Sequence, residues 1–135
     1  MNSSEIFQEL TFFVQSDETL EKYAKTGMCR IWHGLTLKKL NEIKVIFEEK
    51  EKRQIGIEAR ETQINSCLTH TILEIIISDH LNSIQDVFIM DGTGVDMHPP
   101  YFGLKKDGPQ YVKQDSWKDI INYEICIFDR EDCFC

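Results

Sequence analysis

No lysine or arginine occurs between residues 63 and 98. Over the same stretch stand Glu74, Asp79, Asp86, Asp91 and Asp96, a net charge of −5. The whole chain of 135 residues carries 15 basic and 23 acidic side chains, a net of −8. Nucleic-acid binding normally requires a basic face, and this background opposes one. Long apolar runs are also missing. The longest, Ile72 to Ile77, is interrupted by Glu74, so no segment reaches the roughly 18–20 residues of a membrane helix. At the start, "MNSSEIFQEL" has no basic segment ahead of an apolar one, which reads as no signal peptide, with the cytoplasm as the expected location.

Cysteine is present but in no paired pattern. The odd count of five, without an export signal, predicts free thiols. The terminal "CFC" lacks the second pair that a structural zinc site uses. No metal or other cofactor is expected.

What is present fits one globular domain over 1–135, since 41% of residues are hydrophobic and spread end to end. Asn2 and Glu5 have the form of a capping box, and Ile6, Leu10, Phe13 and Val14 follow at helical spacing. Asp17 is a second candidate N-cap, and Gly27 a stop. "CRIWHGL" (29–35) reads as a short strand or tight connection, after which Thr36 caps a helix through Leu37, Leu40, Ile43 and Phe47. Alternation over 54–61 predicts a strand, and residues 66–85 return to helical spacing. "DVFIM" (86–90) reads as a strand, "KDGP" as the turn of a hairpin within 99–112, and 123–129 as a last strand. Helices first and strands last predict an α+β fold, with N-terminal helices packed on a small, mainly antiparallel C-terminal sheet.

"DGTGVDMH" (91–98) combines aspartates, a histidine and glycines, the materials of both catalysis and turns. It fails as an EF-hand, because position twelve from Asp91 is Phe102 where a bidentate Glu belongs. It fails as a P-loop for lack of a lysine beside Ser or Thr. Side-chain-capped turn chemistry is the simplest reading. An acid–base set of Asp91, Asp96 and His98 is the enzymatic alternative. His33, His70 and His80 form no zincin signature, and Cys67 and Cys126 read as small core residues. Aromatics crowd the back third, with Trp117 the first choice as an interface anchor.

Small size, acidity and the carboxylates Glu74, Asp79, Asp86, Asp91 and Asp96 together resemble the class of bacterial immunity proteins that neutralise nuclease-type toxins. The resemblance is one of scale and charge, without a specific motif. It implies a non-catalytic protein whose carboxylates, with Trp117, bind a basic toxin domain and not nucleic acid or membrane. Electrostatic steering would speed association. Reversing the charge at Asp91 and Asp96 is then expected to slow association without unfolding the chain. A small hydrolase-like enzyme and a self-associating regulatory subunit are the alternatives, and the oligomeric state is open.

Overall fold

The computed structural model describes residues 1–25, 27–63, 70–94 and 99–109. Three helices come first: α1 (Ser3–Gln15), α2 (Glu18–Lys22) and α3 (Cys29–Lys50). Four strands follow, β1 (Ile55–Gln63), β2 (Thr71–Asp79), β3 (Ile84–Asp91) and β4 (Tyr101–Leu104), and then a 3-10 turn over Lys105–Asp107. The strands pair antiparallel in the order β1-β2-β3-β4. Helices packed on an antiparallel sheet, helices first, make an α+β fold as expected from the element order.

Local chemistry accounts for the helix starts. Asn2 Oδ1 accepts from Glu5 N at 2.8 Å while the Glu5 carboxyl accepts from Asn2 N, which completes the capping box of α1. Asp17 caps α2 by accepting from Thr19 N and Leu20 N, and its other oxygen takes Lys39 Nζ at 2.6 Å. That ion pair ties α2 to α3. It also holds the Asp17 carboxyl below its usual range, the Lys39 contact being the largest cause.

Three sequence expectations need correction. Residues 29–35 are neither strand nor connection; α3 already begins at Cys29, and Thr36 is buried mid-helix. Cys29, Trp32, His33, Thr36, Leu40 and Phe47 recur every three or four residues and form the buried side of that helix. Gly34 interrupts the apolar pattern, but it sits on the exposed side, where a helix tolerates it at a cost of about 1 kcal/mol. Cys29 is disulfide-bonded rather than a free thiol. Finally, residues 71–79 are a strand and not a helix. Its seven residues from Thr71 to Ile77 are all buried, on both faces of the sheet. A strand of that kind reads as a continuous apolar run, which spacing alone does not separate from a helix.

Leu73, Ile75 and Ile77 of β2 point to the helices and meet Ile6, Leu10, Trp32 and Leu40 in the main core. Phe7 of α1 stacks on Phe88 of β3, ring centroids 4.3 Å apart. The opposite face of the sheet carries a smaller cluster of Ile72, Ile89 and Tyr101. After "KDGP", the expected second arm of the hairpin and the strand at 123–129 lie outside the described residues.

Candidate functional site

Asp91 ends β3 and is completely buried. Its Oδ1 accepts from the backbone N–H of Gly94 at 2.9 Å and of Thr93 at 3.3 Å, so the side chain caps the turn that follows. Its Oδ2 accepts from Nε2 of His70, 2.9 Å away and equally buried. Gly92 lies against the indole of Trp32; a Cβ there would fall 2.1 Å from two ring carbons. Turn, strand end and α3 are thereby locked together at one point. Glycine is required at 92 for close approach.

His33 completes this interior group from α3. Its Nδ1–H donates to the carbonyl of Cys29 at 2.7 Å, which fixes the tautomer, because a carbonyl only accepts. Nε2 then carries a lone pair and stands 3.8 Å from Asp91 Oδ1. Burial pushes the His33 pKa down to about 4, against the opposing pull of Asp91, with His70 lowering it further. At neutral pH the ring is uncharged, so His33 and Asp91 are neighbours without being an ion pair. The His33 and His70 rings stand 6.1 Å apart at right angles. Among the described residues, no group of three or more His, Cys, Asp or Glu side chains is arranged to hold a metal ion.

Glu74 is likewise interior, at 1% exposure. Lys105 Nζ lies 3.1 Å from its Oε2, Thr62 donates to Oε1 at 2.7 Å, and Arg60 is within 3.8 Å. Arg60 is its directly opposed partner on β1 and Thr62 is two residues further along that strand, so sheet register delivers both contacts. Asp79 stands at the end of β2 and spends its oxygens on the turn to β3, accepting from Leu81 N, Asn82 N and the Asn82 amide. The Asn82 contacts lower its pKa. Asp86 is half-buried and takes the hydroxyl of Ser3, which pins the start of α1 to β3.

The expected shared patch is therefore corrected for its described members. Glu74 and Asp91 face the interior and are matched by the protein's own donors. Asp79 caps its own turn, and Asp86 holds the start of α1 against β3. Asp96, His98 and Trp117 lie outside the described residues. The expectation that charge reversal at Asp91 leaves the fold intact also falls, because a base introduced there would be buried.

Large apolar side chains are exposed on α3 (Ile31, Leu35, Val45, Ile46), around the β2–β3 turn (Leu81, Ile84) and on α1, where they are aromatic and stand beside carboxylates. Phe12 is 66% and Phe13 44% exposed, although Phe13 was expected on the buried stripe. The core stripe of α1 runs through Ile6, Phe7, Leu10 and Val14 instead. Glu5, Gln8, Glu9, Phe12 and Phe13, with Met1, border one surface groove of about 520 Å³. A second groove of about 380 Å³ runs between α1 and β4, and Phe12 borders it too. Residues 1–21 contain no lysine or arginine. The cue in the sequence was that Phe13 lies about 60–80° from the middle of the arc that runs from Ile6 through Leu10 and Val14 to Phe7, with Phe12 further out still, beside Glu5 and Glu9.

Comparison with known protein families, with curated proteins and with solved structures finds no match. No helix of the described residues is long and apolar enough to cross a membrane.

Proposed function

We propose that this chain is a non-catalytic acidic binding protein that neutralises a basic protein partner, in the manner of an immunity protein that blocks a nuclease-type toxin. The observation that carries the reading is the outer face of α1: open phenylalanines beside Glu5 and Glu9, on a helix without a basic side chain. Aromatic anchors in a charged surround are what protein interfaces use. The net charge of −8 would draw a cationic partner toward it. Asp91, at 0% exposure and committed to a turn, lends the acid–base alternative no support as a group that meets substrate directly.

Purification from the native host, followed by association kinetics with the isolated partner, tests the proposal. A basic protein in a one-to-one complex is expected, with an association rate that falls about tenfold or more between low and high salt. Recovery without any basic protein, or as a concentration-dependent homodimer, would overturn it.

A further inference from the structure

Glu5 and Glu9 are four residues apart on α1, and Phe12 and Phe13 follow seven and eight residues after Glu5, so all four share one side of the helix. They border the groove at the outer edge, while Phe12 also borders the groove shared with Phe88, Phe102 and Leu104. Acidic side chains thus stand along one approach, and along the other a slot whose aromatic floor of Phe7, Phe88 and Phe102 is edged by Ser4, Gln8, Thr11 and Gln15. The second groove, at about 380 Å³, is within the range of sites that hold a small apolar group.

We propose that this face of α1 receives an arginine-bearing amphipathic segment of the partner, which deepens the binding reading above and rests on it. Arginines spaced one helical turn apart would meet Glu5 and Glu9, and an apolar side chain three or four residues on would enter the groove beside Phe12. Arginine suits the site better than lysine for two physical reasons. Its planar guanidinium forms bidentate contacts with carboxylates, and it stacks on an open aromatic ring such as Phe12. Charge selects this occupant over a second copy related by a two-fold axis through this face, which would bring Glu5 and Glu9 against Glu5 and Glu9.

Amide chemical-shift mapping with a short synthetic helix tests the assignment. The probe has two arginines four positions apart and a leucine three positions later; a twin replaces both arginines with lysine. Shifts are expected on α1 and β4, with the lysine twin binding about threefold or more weaker. Phe12→Ala, and separately Glu5→Gln with Glu9→Gln, are expected to weaken the arginine peptide by about tenfold. Gln at position 5 keeps the capping box, so the charge is removed without loss of the helix start. Shifts centred elsewhere, equal affinity for both peptides, unaltered affinity in the variants, or shifts that follow protein concentration alone would each overturn the proposal. The same variants assayed on the native partner separate the two readings. Undiminished binding there sinks the α1 site while the binding function stands, whereas absence of a basic partner sinks the function itself.

Discussion

Asp91 and Glu5 carry the same functional group in opposite settings. Asp91 is completely buried and shared among two backbone N–H groups and His70. Glu5 is exposed, with its carboxyl at the start of a helix that has no cation of its own. Around Asp91 are histidines, a tryptophan and a glycine turn, a collection that resembles an active site in one dimension. Around Glu5 are glutamate, glutamine and phenylalanine, a composition without chemical promise. The interior group is a clasp that joins α3, the residue before β2 and the end of β3. The plain helix face is open to solvent. Chemical variety in a sequence therefore locates neither accessibility nor use; which side chains the fold leaves open decides both.

The comparison breaks most readily at the clasp. Asp91→Ala removes the turn cap and the His70 contact together, and is expected to cost about 3–5 kcal/mol, the range for breaking a buried charged or hydrogen-bonded pair; urea unfolding would show it as a lowered midpoint. Gly92→Ala drives a methyl into the Trp32 indole and is expected to cost about 3 kcal/mol, the upper end for overpacking. A change near zero would mean that the turn does not rest on α3. The pH dependence comes next. His33 titrates near 4 when folded and near its ordinary 6.5 when unfolded, so the unfolded chain binds the extra proton between those values. Stability is fully present above about pH 6.5 and is lost as pH falls toward 4. Between pH 7 and pH 5 the loss from this residue is about 2 kcal/mol. A His33→Asn variant should show a flatter profile over that window. Smallest is Gly34→Ala: the position is mid-helix, exposed and surrounded by open space, so it should stabilise by about 0.5–1 kcal/mol without touching the clasp.

Much of the fold was legible because the relevant signals are local. Asn2 with Glu5, Asp17 as a cap and the alternation from Ile55 to Ala59 each specify an element within a few residues. The β2 strand was not legible from spacing, since burial on both faces erases the alternation that marks a strand; its run of isoleucines, β-branched and favoured in sheets, was the better guide. Gly34 hid the first turn of α3 for the same reason that it is tolerated there, namely that nothing packs on it. The turn chemistry of Asp91, Gly92 and Thr93 was readable from residue types. Its burial was not, because that depends on His33, His70 and Trp32 arriving from distant parts of the chain. Charge counts treated Glu74 as a surface group for a like reason: Arg60 and Lys105 lie 14 and 31 residues away in sequence and adjacent in space.

On the proposed reading, α1 presents the working surface while the polar interior holds the fold. The most direct measurement is the affinity of the native partner for Phe12→Ala set beside the urea midpoint of the same variant. Stability should move by less than about 0.5 kcal/mol, as for an open surface site, while binding weakens by about tenfold or more. Full affinity in a variant that remains folded would contradict the account.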